Sequence, residues 1–167
     1  TVFETIPDSI IVSRLKDNRI IDVNNGFLEL TGFGKLEVLG KTAMDLTLWK
    51  DKEKRDRFIS ILESRNYIHN FESSFLMKNS QVQTALLSVN AVELKGEPHF
   101  ITVARNVSEL KNAENALRES EEKFRGLFEA AADYIYLLDL DGQIILSNPA
   151  VSRNLGFSRE EMQGRRL

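Results

Sequence analysis

The first apolar positions fall into two short runs, SIIVSRL at 9–15 and RIIDV at 19–23, separated by the polar triplet Lys16-Asp17-Asn18. β-Branched runs bounded by turn formers predict a hairpin. The stretch before them, Thr1 to Pro7, has no helix start signal and reads as the last turn of a longer element. After the hairpin, Asn24-Asn25-Gly26 favours a cap or tight turn, Phe27 to Thr31 a short helix stopped by Gly32, and Lys35 to Leu39 another single turn ended by Gly40. From Asp51 to Arg65 the period changes, and Phe58, Ile61 and Leu62 form the buried stripe of a full-length helix. Three β-type segments follow, Tyr67 to Met77, Val82 to Val92 and Pro98 to Val107, joined by Asn79-Ser80 and by Lys95-Gly96-Glu97. The predicted fold class is α+β: a five-stranded antiparallel sheet, with helices inserted after the second strand and seated on one face.

Alternation assigns the faces. Phe71, Ser73 and Phe75 lie opposite Asn70, Glu72 and Ser74 and should point at the helices. Thr84, Leu86 and Ser88 alternate with Ala85, Leu87 and Val89, so both faces are half apolar and both should be covered. Phe100, Thr102 and Ala104 are assigned inward, leaving Ile101 and Val103 outside.

A long helical run follows at Asn106 to Ala131. Leu110, Ala113, Leu117, Ser120, Phe124, Leu127 and Ala131 recur at alternating spacings of three and four, the mark of a narrow apolar seam. The other faces are charged, with Glu114–Arg118, Glu119–Lys123 and Glu121–Arg125 set acid before base at i,i+4. Ser108 can cap the start. A thin stripe cannot bury itself, so the seam should lie against a partner helix, most simply its copy in a second chain; the alternative is a surface helix packed on its own domain.

Sliding the chain along itself so that Ile20 falls on Ile144 also places Asn24 on Asn148, Gly32-Phe33 on Gly156-Phe157, Glu37 on Glu161 and Gly40 on Gly164. The chain thus divides into 1–107, a helical linker at 108–131, and the first part of a second copy at 132–167. That copy has no counterpart of the long helix and last three strands, so Asp133 to Leu167 is expected to be weakly ordered or completed by another chain.

Composition narrows the chemistry. With 42% hydrophobic residues in 167, a real core can form. A net charge of -3 without a concentrated Lys/Arg block argues against nucleic acid as a partner and against direct membrane contact. The chain has no Cys, which removes disulfides, thiolate metal sites and thiol nucleophiles within these residues. No apolar run approaches the roughly 18 residues that span a bilayer, so a cytoplasmic setting is expected, with any tether outside this segment. The carboxylates at Asp51-Glu53-Asp56 and Glu119-Glu121-Glu122 sit among Lys and Arg on solvated faces, and no phosphate loop, nucleophile elbow or His-rich metal spacing occurs. His69 and His99 read as ordinary surface or edge histidines, and no metal site or catalytic residue is expected.

The order of these elements, with Ile6-Pro7-Asp8-Ser9-Ile10, Asn24-Asn25-Gly26-Phe27, Leu30-Thr31-Gly32-Phe33, Val38-Leu39-Gly40, Phe71-Glu72 and Arg105-Asn106-Val107-Ser108-Glu109-Leu110-Lys111, resembles the PAS family of sensor domains. The last group is similar to the Asp-Ile-Thr-Glu-Arg-Lys ending of PAS plus PAC units, with Asn106 in the place of the Asp. The second copy repeats the pattern at Asn148-Pro149-Ala150, Leu155 to Glu161 and Gly164.

The resemblance implies a sensory, non-enzymatic segment of a bacterial signalling protein of the histidine kinase or diguanylate cyclase type. Neither a phosphoacceptor His region nor a Gly-Gly-Asp-Glu-Phe signature is in this chain, so the output domain would lie elsewhere in the same polypeptide. A small, largely neutral ligand would occupy the space between sheet and helices, lined by Phe27, Phe33, Phe58, Phe71, Ser73, Phe75, Thr84, Leu86, Ser88, Thr102 and Ala104. The signal would leave through Asn106, Ser108, Leu110, Leu117 and Phe124 in a homodimer. Three alternatives stay open: a core filled by its own phenylalanines in a ligand-free dimerisation or interaction module, and a haem or flavin sensor. No cofactor is predicted. The flavin adduct needs a Cys, the haem ligand a His on the helix Asp51 to Arg65, and noncovalent flavin polar residues where Phe75, Thr84 and Ala104 stand. Trp49 is expected to pack the helix–loop layer.

Overall fold

The computed structural model describes residues 2–166. The chain forms two compact units, one ending at Lys111 and one beginning at Asn112. In the first, α1 (Val2–Thr5) leads into the hairpin β1 (Ser9–Arg14) and β2 (Ile20–Val23), then α2 (Asn25–Thr31), α3 (Lys35–Val38) and α4 (Lys52–Arg65), and then β3 (Tyr67–Leu76), β4 (Val82–Leu94) and β5 (Glu97–Asn106). The helix α5 (Ser108–Ala130) follows, crossing from the first unit into the second. The five strands make one antiparallel sheet in the order β2-β1-β5-β4-β3. The first strand in the chain thus lies inside the sheet, because β5 returns to pair along its free edge.

Local chemistry places the helices. Asp51 accepts a hydrogen bond from the Lys54 amide at the start of α4, and Gly32 closes α2 at φ 75°, a conformation that costs a glycine little. Asn24 does more than cap. Its Oδ1 accepts from the Phe27 and Ile10 amides at 3.0 and 2.8 Å, while its Nδ2 donates to the Ile6 and Asp8 carbonyls at 3.0 and 2.9 Å. One fully buried amide therefore ties α2 to β1 and to the chain entering it. Gly26 fits here because a Cβ would stand 2.6 Å from the Pro7 and Asp8 carbonyl oxygens.

The core lies between the inner sheet face and the helices. Val23, Phe27, Val38, Leu46, Leu48, Phe58 and Met77 meet Ile68, Phe75, Ala85, Leu87, Val89, Phe100 and Ala104. Ile61 and Leu62 of α4 pack against this cluster, as their spacing predicts.

The second unit repeats the opening of the first. The hairpin β6 (Tyr136–Leu138) and β7 (Ile144–Ser147) precedes α6 (Pro149–Leu155) and α7 (Arg159–Met162). Asn148 accepts from the Ile135 amide at 3.1 Å and donates to the Ala131 and Asp133 carbonyls at 3.3 and 2.9 Å, as Asn24 does with its own neighbours. The Gly164 amide donates to the Ile144 carbonyl at 2.9 Å, matching Gly40 and Ile20 at 2.8 Å. A small cluster of Ile144, Val151 and Met162, with Tyr136 against it, fills the interior. Leu137, Leu140, Ile145, Leu155 and Phe157 stay exposed.

Candidate functional site: an aromatic ring on the sheet and the strand-to-helix junction

Strand β3 sets Phe71, Ser73 and Phe75 side by side on its inner face, as alternation predicts, and the register Phe71–Leu87 and Ser73–Ala85 aligns them with the core residues of β4. The segment before α4 brings a fourth ring. Its backbone is held to β3 by the Leu76 amide donating to the Leu48 carbonyl (2.8 Å) and the Lys50 amide donating to the Ser74 carbonyl (3.3 Å). Trp49 then meets Phe75 edge-on at 4.8 Å and Phe58 of α4 at 5.0 Å, and Phe58 meets Phe71 at 5.4 Å. These are favoured tilted and edge-to-face arrangements, each worth about 0.5–1.5 kcal/mol beyond the area buried. Phe71, Phe58, Trp49 and Phe75 thus run in a chain whose two ends flank Ser73. The Ser73 side chain is fully buried, and its hydroxyl has no hydrogen-bond partner.

Of the other predicted lining residues, Phe27 is in the core and Phe33 packs partly buried against it, under the Lys78 ammonium at 5.7 Å. Ala104 and Thr102 share the inner face, since they pair with Leu87 and Val89. Thr84, Leu86 and Ser88 do not line this space. They stand on the opposite face, opposite Ser74 and Glu72 and beside the Asn70 amide, which donates to the Ser88 hydroxyl at 3.2 Å. The correction has a simple physical basis: Ala85, Leu87 and Val89 are wholly apolar, whereas the other set carries two hydroxyls and loses the competition for the dry face. The signal was in the residues themselves.

The junction between β5 and α5 is bonded into β4. The Thr84 amide donates to the Ser108 hydroxyl at 2.8 Å, and the Thr84 carbonyl accepts from the Val107 amide at 2.9 Å and from the Ser108 hydroxyl at 3.4 Å. The Asn106 Oδ1 accepts from the Ser108 amide at 2.9 Å, closing an Asx turn at the helix entry. Ser108 therefore fastens the helix to the sheet instead of capping its own amides. Lys111 meets Glu72 of β3 at 2.9 Å, and Arg105 meets Asp8 at 3.2 Å. Further along α5, Leu110, Leu117, Phe124 and Leu127 are exposed, Phe128 is buried, and Phe124 stacks on Phe128 at 5.5 Å.

Charges gather away from the rings. Glu37 accepts from the Lys78 ammonium at 2.8 Å and from the Gly34 amide at 2.6 Å, and these bonds hold its carboxyl below the ordinary glutamate range. Lys35 bridges Asp22 at 2.7 Å and Glu4 at 3.5 Å, and the hydrogen bond it donates to Asp22 raises its ammonium above the usual value. His69 is exposed, whereas His99 is buried and bonded through Nδ1 to the Glu97 carbonyl at 2.8 Å, which corrects its reading as a surface residue. Among the described residues no group of three or more His, Asp or Glu could hold a metal, and no helix is long and apolar enough to cross a membrane.

The sheet order, the helices inserted after β2 and the helix leaving β5 define an α+β fold of the PAS type, with a packed core between sheet and helices. A sequence profile of the PAS domain matches residues 7–109, and one described as the PAS fold matches residues 122–167. The chain belongs to the PAS domain family. Sporulation kinase E of Bacillus subtilis (strain 168) is 29% identical over 165 residues, 97% of this chain and 21% of that kinase, so the chain spans about a fifth of its relative's length. The PAS domain of an HTR-like protein from Haloarcula marismortui superposes with a TM-score of 0.52 at 24% identity, covering 63% of this chain and 85% of that one. A PAS domain from a two-component sensor histidine kinase gives 0.53 at 11% identity, covering 63% and 89%. At these identities the structural likeness is one of fold.

Proposed function

We propose that this is a sensory segment of a bacterial signal-transduction protein, in which the first PAS unit binds a small, largely neutral ligand on its inner sheet face and signals through α5. The observation that carries the reading is the bonding of Ser108 and Val107 to Thr84, because it makes the helix entry an extension of β4 and β5. A change at Phe71 or Phe75 reaches their partners Leu87 and Gln83 on β4, and the same strand holds Ser108 through Thr84. The exposed seam at Leu110, Leu117 and Phe124 would pair with its copy in a second chain, so that strand movement becomes helix register or rotation. In this reading the segment works in the cytoplasm, binds no nucleic acid and makes no direct membrane contact. Kinase or cyclase output belongs to another part of the polypeptide, as the kinase relative's greater length suggests. Neither haem nor flavin is assigned to it: α4 carries no His to ligate haem, the chain no Cys for a flavin adduct, and Phe75 and Ala104 stand where noncovalent flavin would call for polar residues.

The test is the solution mass of the wild type and of Leu117→Glu. A wild-type dimer that the substitution dissociates is the expected result; identical monomers would remove the coupling route. A second reading is supported by the contact of the four rings, which fill their own space: a ligand-free dimerisation or interaction module. Native mass spectrometry of freshly expressed protein separates the two, a bound small molecule favouring the sensor.

A further inference from the structure

We propose that Ser73 and the rings of Phe71, Phe58, Trp49 and Phe75 form a site for a small aromatic molecule bearing one hydroxyl, with the Ser73 hydroxyl as its polar anchor. The inference rests on the sensory reading above and names the ligand class of that site.

The argument begins with an unmet hydrogen bond. A buried hydroxyl without a partner forfeits its hydration and gains nothing in return, and Ser73 is fully enclosed with none. Its neighbours do not supply one: the residue paired with it across β4 is Ala85, and the flanking residues on its face are Phe71 and Phe75. Alanine in the same place would avoid the cost. The walls are also specific. Four aromatic rings at centroid distances of 4.8–5.4 Å present faces and edges that suit another ring. Together they call for a flat apolar body with a single group that donates to or accepts from Ser73.

The rings touch in this structure, so a guest must displace one; Trp49 and Phe71 are the half-buried members, and Trp49 alone of the four stands outside the regular helices and strands. Two residues before Trp49, Thr47 has φ 50°, a left-handed conformation that strains a β-branched residue. Trp49 thus follows a strained turn and is carried by no helix or regular strand, which makes its ring the door.

Trp49 is also the single tryptophan, so its indole N–H gives one reporter resonance. Phenol and benzene are titrated into the full chain by NMR, for the wild type and for Ser73→Ala. The expected result is a saturable shift of the Trp49 resonance with both probes, and a roughly tenfold loss of phenol affinity in Ser73→Ala with benzene unchanged. Because the substitution removes an unsatisfied group, its urea midpoint should equal or exceed that of the wild type, which shows that lost binding is not lost folding. Equal loss for both probes, or none, overturns Ser73 as anchor while leaving an aromatic site. No saturable shift with either probe overturns the inference altogether, and the mass comparison of Leu117→Glu judges the helix relay independently.

Discussion

Asn24 concentrates more of the fold than any core side chain of its size, because one planar amide satisfies two amides and two carbonyls from three parts of the chain. Asn24→Ala is expected to lower the unfolding free energy by about 2–4 kcal/mol, measured by urea denaturation, since the Ile10 and Phe27 amides would remain buried and unpaired. Glu37 gives a test with a sign. Its carboxyl is held below the ordinary range in the folded state, so its contribution is present above the unfolded value and is lost as pH falls through the lower folded one. In an NMR titration Glu37 should have a lower midpoint than an ordinary glutamate, and Lys78→Met should move it upward. The sequence announced Asn24 as a cap and Glu37 only as a repeat position. The Lys78 contact was not legible, because it joins residues far apart in the chain.

At the scale of elements, α4 and β3 are joined by rings. Phe58 touches both Trp49 and Phe71, so Phe58→Ala removes the middle of the chain and is expected to cost about 3–5 kcal/mol. Trp49 emission should also shift to longer wavelength in the folded variant, as the half-buried indole loses its neighbour to water. The period of Phe58, Ile61 and Leu62 predicted which face of α4 is buried, and alternation placed Phe71, Ser73 and Phe75 inward. The lining predicted from sequence also took in Thr84, Leu86 and Ser88, wrongly: the two hydroxyls marked that side of β4 as the wetter one, against the wholly apolar Ala85, Leu87 and Val89. Trp49 was expected to pack and does; its closure of a ring around Ser73 follows from the backbone bonds of Leu76 and Lys50, which no local pattern encodes.

The whole molecule is a complete sheet and a partial one in two units. The first unit pairs β1 on both sides, whereas in the second the hairpin β6–β7 is the whole sheet. Isolated two-stranded hairpins are marginal, so amide exchange should be slowest in β4 and β5 and much faster in β6 and β7, measured by hydrogen–deuterium exchange on the 167-residue chain. Equal protection in both sheets would show that the second unit gains stability its small cluster does not provide. By itself the sequence determined the order and type of elements, the repeat and the helix leaving the last strand, since these rest on periodicity, caps and turns within a few residues of each other. Only the tertiary structure decided that Ser108 bonds to Thr84, that Lys78 reaches Glu37, and that Ser73 is enclosed without a partner. Those depend on strand register and on side chains meeting across the sheet, where the outcome is a competition among surfaces and not a property of any one stretch.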